Sequence, residues 1–249
     1  LFSLEFRWYS LAYIFGILLG WWYGKKILKN NFQIKGEKFK LEEFDDLVTY
    51  LIISIILGGR IGYVLFYNPA YYINNIMDIF KVWEGGMSFH GALIGIVIGT
   101  YFFSKKKEIK TFLLLDIIAA VAPIGIFLGR IANFINSELT GKATDVYWAV
   151  VFPKIDNISR HPSQLYEALL EGFVLFFIMK FLLSRKKYKV GDCSFLFLIF
   201  YGVFRIFSEF FRQPDAQLGY ILGFMSMGML LSLIMIFAGV ILYIKKNDF

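Results

Sequence analysis

The chain has 249 residues, of which 58% are hydrophobic and 20% aromatic, and its mean hydropathy is +0.61. Soluble domains are roughly 45–50% apolar, so this composition indicates a membrane protein. The net charge is +7, but the basic residues lie between apolar runs, which argues against a nucleic-acid-binding surface. The single cysteine, Cys193, excludes a disulfide within the chain, and no Cys/His spacing typical of a metal site occurs.

Seven apolar runs recur along the chain, most of them near the roughly 20 helical residues that cross a bilayer core of about 30 Å. We expect the first run to be a retained span and not a cleaved signal peptide. The sequence therefore predicts an all-α integral membrane protein, a single polytopic membrane domain over residues 1–249 with about seven transmembrane helices. The predicted spans are 8–23, 47–66, 87–103, 112–131, 164–183, 193–210 and 220–244.

Basic residues predict the orientation of these spans. Sixteen of the 26 Lys and Arg follow the first, third, fifth and seventh runs. Because positive loops stay on the cytoplasmic side, the N-terminus is expected outside and the C-terminus in the cytoplasm. The loops of the other face include residues 132–163, which we predict to form a small extracytoplasmic lobe with some strand character around residues 150–152.

Ionisable residues inside apolar runs are informative, because each costs roughly 2.5–3.5 kcal/mol at a helix centre. Glu209 follows Arg205 by four residues, so the two share a helix face and are expected to pair. A plain ion pair that joins helices is the alternative to a functional site. Four arginines lie at or near the outer halves of different runs: Arg60, Arg130, Arg205 and Arg212.

These arginines outnumber Glu138 and Glu209, so we expect excess positive charge and a bound anion. Arginine suits bidentate contact with phosphate, and a phosphate at membrane depth indicates a phospholipid headgroup. His90 opens the third run and is a candidate proton acceptor, although a lone histidine is more often a capping or hydrogen-bonded structural residue. His161 is expected to serve the loop and helix start around Pro162. Tyr9 is interpreted by default as an aromatic residue at the membrane–water interface.

Six blocks, taken in order, resemble those of the prolipoprotein diacylglyceryl transferase family: residues 8–9, 59–63, 83–91, 129–136, 160–167 and 201–215. The resemblance implies transfer of the diacylglyceryl group from phosphatidylglycerol to the lipobox cysteine thiol of a prolipoprotein signal peptide. A thioether forms and glycerol phosphate is released. It further implies a location in the lipid bilayer of the bacterial cytoplasmic (inner) membrane, with no metal or organic cofactor and no nucleic-acid partner.

The resemblance also implies the site residues. It gives catalytic roles to Tyr9, His90, Arg130, Asn133, Arg205 and Glu209, and substrate contacts to Arg60, Arg130, Glu138, Gly141 and Arg212, with Arg130 touching phosphatidylglycerol. The chemistry is consistent, because expulsion of a phosphate monoester needs cations where charge develops. The attacking thiol needs a base or a positive field, and His90 is the candidate base. Two rivals stay open: a phospholipid transporter or scramblase, and a non-catalytic assembly protein.

Overall fold

The computed structural model describes residues 8–30, 39–66, 69–185, 187–214, 223 and 225–246. Within these ranges the chain is almost entirely helical. The α-helices are α1 (Trp8–Asn30), α2 (Leu41–Phe66), α3 (Pro69–Asn74), α4 (Phe89–Lys107), α5 (Thr111–Asn136), α6 (Ser163–Glu167), α7 (Leu175–Ser184), α8 (Asp192–Glu209) and α9 (Met227–Lys245). Two 3₁₀ turns, Ile76–Phe80 and Val82–Glu84, follow α3, and a π-helical segment, Ala168–Val174, joins α6 to α7. The strands are β1 (Val150–Val151) and β2 (Ser159–Arg160).

Each predicted apolar run coincides with a long helical stretch, so the helical class is confirmed. Among the described residues, three helices are long and apolar enough to cross a membrane: Leu41–Leu65, Thr111–Asn136 and Met227–Lys245. The number of seven spans stays a prediction. Three helices extend five or more residues beyond the predicted runs: α1 continues to Asn30, α2 begins at Leu41 and α5 continues to Asn136, so the first five residues of the predicted lobe are helical. The start of the last predicted run, 220–222, lies outside the described residues.

The chain divides into two compact units, residues 28–115 and residues 1–27 with 116–249. In the first unit, α2 and α4 pack through glycines. A Cβ atom on Gly58 would lie 2.4 Å from the carbonyl oxygen of Gly91, and one on Gly62 would lie 2.7 Å from the Gly91 Cα. The two backbones are therefore in direct contact, as small residues allow in membrane helices.

In the second unit, α8 packs against α9 in the same way. A Cβ atom on Gly202 would lie 2.7 Å from Ile236 Cγ1. Asp116 of α5 is buried and fixes the start of α8 by accepting hydrogen bonds from the amides of Gly191 at 2.6 Å and Ser194 at 2.7 Å. The first amide N–H groups of a helix have no hydrogen-bond acceptor within the helix itself, and Asp116 supplies one for these two.

We call residues 137–162, between the end of α5 and the start of α6, the lobe. Its antiparallel strands pair Val150 with Arg160 and Val151 with Ser159, so the predicted strand character is confirmed. An isolated bridge also pairs Gly141 with Arg212 from the end of α8. The lobe is therefore attached to the helix that carries Arg205 and Glu209.

Candidate active site

Arg130 and Arg205 meet at one carboxylate, that of Glu167. Arg130 Nη1 lies 2.9 Å from Glu167 Oε2, and Arg205 Nη1 donates a hydrogen bond to Glu167 Oε1. The two arginines come from α5 and α8, and Glu167 closes α6. The two guanidinium groups therefore come together from separate helices, while their predicted contact with a lipid phosphate stays a prediction.

Arg205 also pairs with Glu209, one turn later on α8, as the four-residue spacing predicted. The second oxygen of Glu209 accepts a hydrogen bond from Ser226 at 2.8 Å. Gly228 leaves room for this pair, because a Cβ atom there would lie 2.6 Å from Glu209 Oε1. Both oxygens of Glu209 are thus held, and the Arg205 side chain is turned toward α6.

Glu171 completes the group. Glu171 Oε2 accepts a hydrogen bond from Arg130 Nη2 at 3.1 Å, and Glu171 Oε1 lies 3.6 Å from Arg205 Nη1. Neither Glu171 nor Glu167 was among the site residues predicted from the sequence. Both carboxylates are fully buried. The signal was present, since two carboxylates four residues apart interrupt the apolar run 164–183. Glu171 lies in the π-helical segment, a rare geometry that is frequent at functional sites.

The expected excess of positive charge left two carboxylates uncounted, those of Glu167 and Glu171. Direct ion pairs join Arg130, Arg205 and Arg212 to Glu167, Glu171 and Glu209, among the residues that the structure describes. We call these six residues the ion network. The network holds three arginines and three glutamates, two of which, Glu167 and Glu171, come from the predicted run 164–183.

Tyr9, Asn133 and Glu138 form a second cluster in the same unit. The Asn133 amide nitrogen lies 2.7 Å from the Tyr9 hydroxyl and 3.2 Å from Glu138 Oε2, and donates to both. Gln164, next to the network glutamates in the chain, donates to the Glu138 carbonyl oxygen at 2.6 Å. Three residues that only the family resemblance had placed together are therefore adjacent in space.

Gly141 lies where the lobe meets α8. Its amide donates to the His161 carbonyl oxygen at 3.2 Å, and a Cβ atom on Gly141 would lie only 2.2 Å from that oxygen. Arg160 donates to the Gly141 carbonyl oxygen at 3.1 Å and forms a two-pronged pair with Asp156. The hydrogen bond from Arg160 lowers the pKa of Asp156. The junction thus needs a residue with no side chain at position 141.

Arg212 and His161 lie beside this junction. Arg212 is buried, pairs with Gly141 through the backbone bridge and lies 3.5 Å from Glu167 Oε1. His161 Nδ1 is 3.2 Å from the Tyr166 hydroxyl, at the start of α6, in agreement with the local role predicted for it.

Arg60 lies in the other unit, and its guanidinium is hydrogen-bonded to backbone carbonyl oxygens. Its guanidinium donates to the carbonyl oxygens of Asp78 at 2.5 Å, Ile79 at 2.8 Å and Gly85 at 2.5 Å, and packs over the Tyr72 ring at 5.2 Å. These contacts hold the segment between α3 and α4. Its predicted contact with substrate stays a prediction.

His90 lies in the first turn of α4, which begins after the N-cap Ser88. The side chain of His90 lies outside the described residues, so its predicted role as base stays a prediction. No group of three or more His, Cys, Asp or Glu side chains suited to a metal ion occurs in the described ranges.

The helical fold, with three helices apolar enough to cross a membrane and a buried network of arginines and glutamates, defines a helical membrane protein. The sequence model of the prolipoprotein diacylglyceryl transferase family matches residues 1–245, and the chain belongs to this family.

Several relatives carry the name phosphatidylglycerol–prolipoprotein diacylglyceryl transferase. The protein from Rickettsia felis is 50% identical over 98% of this chain and 93% of its own length. The protein from Rickettsia typhi is 50% identical over 97% and 92%. The protein from Methylocella silvestris is 49% identical over 96% and 89%.

Proposed function

We propose that this chain is an enzyme that transfers the diacylglyceryl group of phosphatidylglycerol to the cysteine thiol of a prolipoprotein lipobox. The thiol sulfur forms a bond to the terminal glycerol carbon of the diacylglyceryl group. The bond from that carbon to the phosphate oxygen breaks, and glycerol phosphate leaves. Membership of the family and close identity to relatives named for this activity support the assignment.

The convergence of Arg130 and Arg205 on Glu167 is the observation that carries the proposal. Negative charge develops on the phosphate oxygen as the carbon–oxygen bond breaks, and fixed cations stabilise it in a site without water. Glu167 sets the separation of the two guanidiniums by taking one on each oxygen. Both arginine side chains keep a small exposed fraction, 16% for Arg130 and 11% for Arg205, through which a headgroup reaches them.

The other site residues surround this pair. Tyr9, Asn133 and Glu138 offer hydroxyl, amide and carboxylate groups that suit the hydroxyls of a glycerol headgroup. Glu209 orients Arg205, while Arg212 and Gly141 join the network to the lobe. For Arg60 we propose a structural role, that of holding the segment between α3 and α4, in place of a lipid contact.

The thiol has an unperturbed pKa of roughly 8.5, so it needs help to ionise at neutral pH. His90 takes the thiol proton in this proposal, and the arginines favour the thiolate by their charge. The reaction requires no metal or organic cofactor. A comparison of His90→Gln with His90→Asn tests the base, since glutamine preserves one hydrogen-bonding position and asparagine the other. Near-normal rates in both would remove His90 from this role.

We propose further that the chain spans the bacterial cytoplasmic membrane seven times, with the N-terminus outside and the lobe on the outer face. The basic loops after alternate helices support this orientation. Cysteine labelling of Asp145→Cys in the lobe and Glu108→Cys after α4 tests it in intact cells. An impermeant reagent is expected to label only the first.

The activity test uses purified protein with phosphatidylglycerol vesicles and a lipobox peptide. Release of glycerol phosphate and a gain in peptide mass by one diacylglyceryl group are expected together. A lipobox peptide with serine in place of cysteine is the matched control and should remain unmodified. A phospholipid transporter or scramblase, the alternative, predicts neither product and instead predicts movement of labelled lipid between leaflets.

A further inference from the structure

Glu171 contacts fewer arginines than Glu167, its neighbour on the same helical stretch, and at longer distances. Its Oε2 accepts from Arg130 at 3.1 Å, whereas its Oε1 lies 3.6 Å from Arg205 and has no hydrogen-bond partner. Glu167 contacts three guanidiniums, and Glu209 receives both Arg205 and the Ser226 hydroxyl. Of the two neighbouring carboxylates, Glu167 and Glu171, it is Glu171 whose negative charge is compensated less by nearby guanidiniums.

The ion network is neutral when every member is ionised, because three arginines face three glutamates. Glu138, one hydrogen bond away from Asn133, adds a further negative charge nearby. A lipid phosphodiester carries one negative charge, and burial of a charge without a counter-charge is costly. A neutral network therefore has no net charge to offer this ligand.

We propose that Glu171 holds a proton when the enzyme binds its lipid, so that the ion network carries a net charge of +1 that matches the phosphodiester. The inference rests on the proposed function, because that function supplies the phosphodiester. Glu171 acts through the arginines and is a positioning residue. The groups that face it are Arg130 from α5, Glu167 one turn earlier, and Arg205 and Tyr201 from α8.

The position of Glu167 favours the proton on Glu171. Two carboxylates four residues apart on one helical stretch repel each other when both are charged, and full burial strengthens the repulsion. One proton shared by the pair relieves it. Glu167 is the member that bridges Arg130 and Arg205, so the charge is more stable there and the proton resides on Glu171.

The first test measures binding of labelled phosphatidylglycerol to the purified protein in detergent as a function of pH, without acceptor peptide. If lipid binding requires one proton on Glu171, the dissociation constant for phosphatidylglycerol rises by up to about tenfold for each pH unit above the pH at which that proton dissociates. Glu171→Gln cannot lose a proton, so its curve should lose this rise. Glu108→Gln, at an exposed position after α4, is the control with the same change in charge and should keep it.

The second test detects the proton directly. The infrared difference between samples of the lipid-bound protein in H₂O and in D₂O should contain the carbonyl-stretching band of a protonated carboxylic acid, which shifts on deuteration, whereas the ester carbonyl bands of the lipid do not. The band should be absent from Glu171→Gln and present in Glu108→Gln. The pH-dependent binding of the unmodified protein needs no variant, so the proposal stays testable if Glu171→Gln fails to fold.

The outcomes separate this inference from the proposed function. Binding and transfer with no dependence on pH, and no infrared band, would mean that all three carboxylates are ionised, and would overturn the inference alone. A band that persists in Glu171→Gln would place the proton elsewhere and also overturn it. Absence of both lipid binding and transfer would instead reject the proposed function.

Discussion

The side-chain amide of Asn133 donates a hydrogen bond of 2.7 Å to the hydroxyl of Tyr9, which lies 124 residues earlier in the chain. This contact joins the start of α1 to the end of α5, and the same amide also reaches Glu138. The default interpretation of Tyr9 as one of many interfacial aromatics is therefore incomplete, because its hydroxyl has a specific protein partner.

Tyr9→Phe removes this acceptor and keeps the ring. A hydrogen bond of this kind contributes about 1 kcal/mol, so we expect roughly a fivefold loss in kcat/KM for phosphatidylglycerol. Tyr13→Phe is the matched control, since Tyr13 packs 5.4 Å from the Tyr9 ring and its side chain is 61% exposed. Equal losses in the two variants would argue against a specific role for the Tyr9 hydroxyl.

Arg205→Lys keeps the positive charge but loses the planar group that contacts three carboxylates at once. We expect a fall in kcat of about 10²–10³-fold, the range seen when a group that stabilises a transition-state charge is removed. Arg185→Lys, in the exposed loop after α7, should retain activity. A near-normal kcat for Arg205→Lys would show that charge alone suffices.

Gly141→Ala places a methyl group 2.2 Å from the His161 carbonyl oxygen and 2.8 Å from that of Phe211. The junction between lobe and α8 must shift, at a cost of about 1–3 kcal/mol. A lower thermal midpoint in detergent is expected. Gly129→Ala, where a new Cβ atom meets nothing within 4 Å, should not lower it. An unchanged midpoint in Gly141→Ala would contradict the close approach.

Asp156→Asn tests the ion pair with Arg160 in the lobe. The hydrogen bond from Arg160 lowers the pKa of Asp156, so the charged carboxylate stabilises the fold above the pKa of an ordinary aspartate. This contribution is lost as the pH falls through the lowered pKa. At neutral pH the thermal midpoint of the variant should therefore be lower than that of the unmodified protein. In acid, below the lowered pKa of Asp156, the two midpoints should be equal. Asp145→Asn, at an exposed position in the same lobe, should show a smaller difference.

Much of the helical fold was predictable, because long apolar runs leave little alternative in a bilayer. The Arg205–Glu209 pair was equally accessible, since spacing alone puts the two residues on one face. The strands of the lobe followed from the apolar residues near Val150. These features depend on neighbours in sequence, and local pattern is sufficient for them.

The charge balance of the site was not predicted, although its signal was in the sequence. The prediction set only Glu138 and Glu209 against the arginines. Because Glu167 and Glu171 were left out of this count, a net positive charge was expected. Other features have no local signature at all. The backbone carbonyl oxygens around Arg60 involve no particular residue type, and the contact between Tyr9 and Asn133 depends on how distant helices pack.

The π-helical segment Ala168–Val174 makes the spacing between α6 and α7 depend on chain length as well as on residue identity. A π-helical turn holds more residues than an α-helical turn, because its hydrogen bonds run i→i+5 instead of i→i+4. Deletion of one residue here would therefore change how Glu171 is placed relative to Glu167, even if every remaining side chain were the original one. A scan by single substitutions would pass over this constraint, whereas a scan by single-residue deletions would reveal it.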